Sequence, residues 1–504
     1  MSFAFRVRRV FGDRPFAEAG EPVLVVDDER RNLVAVAGAY DHLGQSSPIG
    51  VYSRDSLAGC ALVRTRFPVH AMAFHPTLPL LAVGSGSYDG GYHFEGELLL
   101  LDLETGKVTS LIEHWSGREV LGLQWLDDHR LRVQMSPPDD YQDENAWVEG
   151  HVAVVHRDDW RSVPANSITG YDLAGPRVPL PRPDNRADAG RRIGQLSSRW
   201  EVRRNIRAIE QLSDGRIVAA LDGVGVESWL PSGQQQLAVP DNRGGRDIVV
   251  AGDEQTVWTN LVRHKWLGEA PSVARICLED GRQLDALSLS DPMSLVRCAD
   301  GAPALVPEGS NSERSRLRIR RGSRVYFYDI EPNEDALGID EYEIWLATAP
   351  LEEVPAAERP RAPQPADFTR VFPFSWVPGE AHFAGPGVET ADGDLVYASS
   401  VYHGHGLQPG GSFVVRRNTR TGEPNWIFRT DHRATCLDAD SEFVYIGYDD
   451  GELVALELDS GTVVQRQYLI VAAMPVIPTA VTVTGNGQLL IGTDDGRILL
   501  CSNG

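Results

Sequence analysis

The sequence predicts an all-β protein, a single-ring β-propeller of four-stranded blades. Three observations carry this expectation. A strand–turn unit recurs about every 40–48 residues, helical periodicity is almost absent, and the N-terminal segment can complete the last unit. The repeat is clearest in YIGYDDGELVALELDSG (Tyr445–Gly461) and LIGTDDGRILLC (Leu490–Cys501), where Gly451 and Gly496 each follow Asp-Asp between alternating apolar runs. Asp-Gly in that setting signals a tight hairpin, because glycine accepts the positive φ the turn requires. A second pair, LVAVAGAYD (Leu33–Asp41) and LAVGSGSYD (Leu81–Asp89), lies near the N-terminus.

Units begin near Val23, His70, Val120, Asn205, Arg246, Met293, Gly385, Ala434 and Thr479. That is nine, with seven to nine compatible with one ring. Residues 291–383 parse either as one blade with an extra hairpin or as one and a half. The last unit has only three strands of its own, and Phe3–Phe11 (FAFRVRRVF) alternates, with Phe3, Phe5 and Val7 on one side and Arg6 and Arg8 on the other. Residues 1–12 are therefore expected to supply the closing outer strand, since an open sheet would expose a long edge. One propeller spans 1–504. Residues 172–200, rich in proline and arginine, and 351–367, rich in proline, alanine and glutamate, fit no blade and read as surface excursions.

LLLLDLETGKV (Leu98–Val108) resembles the third strand of a WD40 repeat, with Leu101-Asp102 where Trp-Asp usually stands. RRNTRTGEPNWIFRT (Arg416–Thr430) is similar to the T-G-x-x-x-W segment of quinoprotein-like propeller repeats through Thr421, Gly422 and Trp426. The resemblance implies a propeller architecture. Likeness to bacterial-type propellers implies membership of a multiprotein system, for instance beside an ATPase or a signalling protein.

Composition narrows the partners. The 48 basic and 71 acidic residues leave a formal charge of −23, which repels phosphate backbones and argues against nucleic acid. No apolar run approaches the roughly 18–20 residues of a spanning helix, and the first residues lack a signal-peptide pattern. Five scattered cysteines, most within apolar runs and none in C-x-x-C, suit buried free thiols of the cytoplasm.

The connection between second and third strands is short in the last two units and long in six others. It reads AYDHLGQSSP at 39–48, GSGSYDGGYHFEG at 84–96, SPPDDYQDENAWVEG at 136–150, VRHKWLGEAPS at 262–272, YDIEPNEDALGIDEYE at 328–343 and SVYHGHGLQPGG at 400–411. In a propeller these loops leave one face, and binding residues favour loops on a rigid scaffold. The expected binding face comprises Tyr40, Asp41, His42, Tyr88, Asp89, Tyr92, His93, Phe94, Tyr141, Trp147, His264, Trp266, Tyr328, Tyr402, His403 and His405. A protein partner is expected there, on a scaffold without catalysis or cofactor of its own. The alternative is a propeller hydrolase or lyase using histidines and acids of that face, with or without a metal.

Other chemistry finds less support. His403-Gly-His405 offers two imidazoles where a metal needs three or four ligands. The glycines at 84–96 precede ELLLLDL, a strand, so the helix that a phosphate loop or nucleophile elbow requires is missing. A quinone-dependent dehydrogenase would be expected to carry an export signal and adjacent cysteines, and neither is present. In RSRLRIRRGSR (Arg314–Arg324), Arg316, Arg318 and Arg320 are expected on one strand face, neutralised by the protein's own acids.

Overall fold

A computed structural model describes residues 4–40, 46–112, 118–180, 182, 184–240, 244–261, 272–289, 293–297, 303–307, 314–316, 318–319, 324–332, 342–350, 369–375, 385–402 and 407–503. The chain is an all-β propeller. Its described residues form eight four-stranded sheets, most of them from consecutive strands, together with one five-stranded sheet. Contacts divide it into two compact units, 14–202 with 470–474, and 1–13 with 203–469 and 475–504.

The described residues of the smaller unit form three four-stranded sheets. The first is Pro22–Asp28, Leu33–Gly38, Ser47–Ser53 and Gly59–Thr65, and the second is Val69–Phe74, Leu80–Tyr88, Phe94–Asp102 and Val108–Ser110. The third is Val120–Trp125, Arg130–Met135, Glu149–His156 and Arg177–Pro179. The second sheet is apolar on both faces, which explains its unbroken LLAV and LLLL runs. Leu81, Val83, Leu99 and Leu101 pack towards the first sheet with Val36's neighbours Ala35 and Ala37. Leu80, Ala82, Leu98 and Leu100 pack towards Leu131 and Val133 of the third. Each fully buried Leu or Val contributes about 1.5–3 kcal/mol. His75 ties the second sheet to the third: its Nδ1 accepts the Thr77 and Leu78 amides, so Nε2 carries the proton, 3.0 Å from the Asp128 carbonyl. Burial holds this imidazole below its usual pKa.

On the other face of the first sheet lies a helix, Arg186–Leu196, within the segment expected as a surface excursion. Its Ala189 and Ile193, four apart, are buried against Phe16, Val25, Val34 and Tyr52.

In the larger unit, first strands begin at Arg204, Gly245, Met293, Pro386, Ala434 and Pro478, within a residue of the expected positions. Polar ties link successive sheets. Leu295 N donates to Asp247 Oδ2 at 3.1 Å, and Val483 N to the buried Asp438 Oδ2 at 2.7 Å. Thr482 Oγ1 donates to the Ile209 carbonyl at 2.7 Å, so the 478–503 sheet lies between the 434–468 and 204–239 sheets. Trp426, of the T-G-x-x-x-W segment, donates its indole N–H to Leu458 O of the following sheet at 2.8 Å.

Residues 293–375 resolve into a hairpin, Met293–Arg297 with Pro303–Pro307, and a four-stranded sheet of Arg314–Arg316, Arg324–Pro332, Tyr342–Pro350 and Thr369–Ser375. The basic run does not stay in one strand. Arg314–Arg316 pairs with Phe327–Asp329, whereas Arg318–Ile319 runs parallel to Pro386–Gly387. Residues 351–367 lie outside the described residues.

The closing strand is Phe5–Phe11, antiparallel to Ile498–Asn503. Simple alternation fails at Arg8, where a bulge shifts the register between Val7 and Arg9. The bulge reverses the facing of everything after it. Phe5 meets Tyr445 of one neighbouring sheet at 6.3 Å, and Phe11 meets Trp229 of the other at 6.0 Å. Val7, expected on the same side as the buried Phe5, is exposed. Four cysteines are described, and none of them forms a disulfide. Cys436 and Cys501 are buried as expected, and burial pushes the Cys501 thiol up to about 12, but Cys60 is exposed.

Candidate functional site

GSGSYDGGYHFEG is a hairpin arm. The first strand of its sheet pairs as far as Ser85, while the second and third continue through Gly86↔Gly96, Ser87↔Glu95 and Tyr88↔Phe94. Only Gly90, at φ +84°, serves the bend. Gly84, Gly86 and Gly96 clear space for the next sheet. A Cβ on Gly84 would stand 2.4 Å from Val120, on Gly86 2.4 Å from Glu119 Cα, and on Gly96 2.3 Å from Arg118 O. The turn itself is held by Asp89, whose Oδ1 accepts the amides of Gly91 at 2.7 Å and His93 at 3.0 Å. Desolvation opposes ionisation of Asp89, but these amides outweigh it and hold the carboxyl below its usual pKa.

The 136–148 loop of the third sheet is joined to this arm. Phe94 N donates to Pro138 O at 3.0 Å, Asp140 N to Tyr92 O at 2.9 Å, and His93 bridges Asp139. Two loops thus share one short backbone ladder. Above it sits an aromatic crown. Tyr88 lies 5.3 Å from Phe94 and 4.9 Å from Trp147, and Phe94 lies 5.0 Å from Trp147. Tyr92 and Tyr141 meet edge to face at 5.8 Å.

The crown has a base and a rim. Phe94 is 1% exposed and half-buried Tyr88 gives its hydroxyl proton to Gly91 O at 2.9 Å, so both support the others. Partial burial, then the Asp140 carboxylate, push the Tyr88 phenol up. The rim is Tyr92 (58% exposed), Tyr141 (62%) and Trp147 (46%), with Asp89 and His93 also exposed.

Arg182 is a member that sequence reasoning missed. Its guanidinium lies 5.5 Å from the Phe94 ring and 5.3 Å from Trp147, and donates to the buried Glu119 Oε1 at 3.0 Å. It comes from a segment with no repeat pattern, so only the fold brings it here. Arg118, next in sequence to Glu119, is half-buried and held below its usual pKa by burial, against the pull of Asp139.

Of the remaining expected residues, Tyr40 is half-buried at the end of Leu33–Gly38. Tyr328 and Tyr402 stand in strands rather than loop tips, paired with Leu346 and Leu407. Asp41, His42, His264, Trp266, His403 and His405 lie outside the described residues. Among the described residues no three His, Cys, Asp or Glu side chains converge as a metal-ligand set, and no helix is long and apolar enough to cross a membrane.

No protein-family model and no curated protein match the sequence. Among solved structures, the chain is similar to the WD40 β-propeller domain of Doa1, with 11% identity, a TM-score of 0.36, and coverage of 59% of this chain and 93% of that one. It is also similar to the computationally designed Ika8 protein, with 12% identity, a TM-score of 0.26, and coverage of 86% and 96%. The propeller assignment stands on the chain's own sheets.

Proposed function

We propose that the protein is a non-catalytic interaction platform that binds a protein partner through its enlarged second-to-third-strand loops. The observation that carries this reading is the crown: three exposed aromatic rings on two loops joined backbone to backbone. Rigid aromatics lose little conformational entropy when a partner covers them, and such residues dominate interface energetics. The base of Phe94, Tyr88 and Arg182 fixes the rim without offering a nucleophile beside a base. Catalytic use of this surface is accordingly the weaker reading.

The test shortens the arm to Asp-Asp-Gly between Gly84 and Leu98, the length found in the last two sheets. A quantitative pull-down from the source extract should lose the partner at least tenfold relative to the parent chain. Undiminished recovery by a variant with the parent's circular dichroism and melting profile would overturn the proposal.

A further inference from the structure

We infer that the crown receives a basic segment of its partner, with a Lys or Arg side chain seated against the Tyr92–Tyr141 pair. This inference rests on the platform reading and names its ligand chemistry. The two rings stand 5.8 Å apart at 87°, and both are more than half exposed. Perpendicular aromatic walls present electron-rich surface to a cation, which aromatic rings attract more strongly as water is excluded. The same crown already holds a cation in this way. Arg182 covers Phe94 and Trp147 at 5.5 and 5.3 Å, whereas among the described residues no cation covers Tyr92 or Tyr141.

Charge points the same way. Asp143 is paired with Arg177 at 2.8 Å. Asp89, Asp140 and Glu144, on the same two loops, have no Lys or Arg ion-pair partner among the described residues, while Asp139 acts on the half-buried Arg118. Within the crown itself, Asp140 lies 3.4 Å from the Trp147 indole N–H, and its amide is fixed to Tyr92 O. A neutral apolar segment would leave these carboxylates to be desolvated uncompensated, and an acidic one would be repelled. A basic segment satisfies rings and acids together.

The test titrates three short labelled peptides against the full chain: one rich in Arg and Lys, one in Glu and Asp, and one in Leu and Ser. A Tyr92→Ala, Tyr141→Ala variant keeps every charge and so separates a seated cation from general attraction to a chain of charge −23. The basic peptide alone should bind. Its affinity should fall at least tenfold in the double Ala variant and again on raising salt from about 50 to about 500 mM. A Tyr92→Phe, Tyr141→Phe variant, which keeps both ring faces, should stay within about threefold of the parent. Equal binding of the basic peptide to parent and Ala variant, equal binding of the neutral peptide, or no binding of the basic peptide would each overturn the inference. Failure here alongside partner loss on shortening the arm removes the ligand class and leaves the platform. Unchanged partner recovery removes the platform itself.

Discussion

The arm at 85–97 and the Asp-Asp-Gly turn at 494–496 leave equivalent points of equivalent sheets, yet they direct their polar groups oppositely. In the tight turn every acid faces inward. Asp494 Oδ1 accepts the Ile477 amide at 2.9 Å and its carbonyl accepts Asn205 N at 2.8 Å, while Asp495 binds Arg497 and the Thr493 hydroxyl. Beneath it, Arg203 donates to Gly496 O at 3.2 Å and to Glu227 at 2.6 Å, with both side chains 0% exposed. In the arm, Asp89 spends one oxygen on its own turn, and the aromatic rim faces water. One connection stitches sheets together and the other holds a surface outward. The difference shows how a repeat separates stability from recognition at a single position.

The largest effect should come from the tight side. Glu227→Ala leaves the Arg203 guanidinium buried without its carboxylate, which should cost on the order of 3–5 kcal/mol in urea unfolding. A loss under about 1 kcal/mol would mean that this pair does not anchor the turn.

Next comes the seating of the arm. Gly96→Ala brings a Cβ to 2.3 Å from Arg118 O and 2.4 Å from Ser85 O, both backbone atoms that cannot swing aside, and should cost about 1–3 kcal/mol. Gly90→Ala meets nothing within 4 Å and carries only the strain of φ +84°, about 1–2 kcal/mol. Hydrogen exchange sharpens the contrast: only Gly96→Ala should speed exchange of the Phe94 and Asp140 amides.

The smallest effect is electrostatic. Asp127, in the 126–129 turn of the third sheet, takes a hydrogen bond from Arg130 Nε at 2.6 Å and is lowered from 3.8 to about 2 by that bond and by the His129 amide. A depressed carboxyl stabilises the fold above its unfolded pKa and loses that contribution as pH falls through the folded one. Asp127→Asn should therefore melt slightly lower than the parent at neutral pH. The two melting curves should converge as pH falls towards about 2. A difference that persists there would assign the effect to turn geometry instead.

Local chemistry made much of this legible. Alternating runs and Asp-Gly turns placed the first strands because both signals lie within a few residues of one another. The closing strand was legible as well, but its bulge was not. Nothing in FRVRRVF says that Phe5 and Phe11 must serve two different sheets, because that demand comes from the neighbours Tyr445 and Trp229. The helix at 186–196 escaped notice because only Ala189, Ile193 and a few others are apolar in an arginine-rich stretch. The site divides similarly. Tyr92, Tyr141 and Trp147 were visible as loop aromatics, whereas Arg182 and the burial of Phe94 depend on contacts across tens of residues.

The closing strand also bears on how the chain is made. Arg8 Nε donates to Ser502 Oγ at 2.7 Å across 494 positions. During synthesis Phe5–Phe11 is made long before Ile498–Asn503 and must wait for that strand before it has this partner. The entropy cost of closing a loop grows only logarithmically with its length, but contacts so distant in sequence slow folding. Until that strand is made, an arginine-bearing strand with an unpaired edge travels with the nascent protein. Its charges, Arg6, Arg8 and Arg9, are the kind that deter edge-to-edge association during that interval.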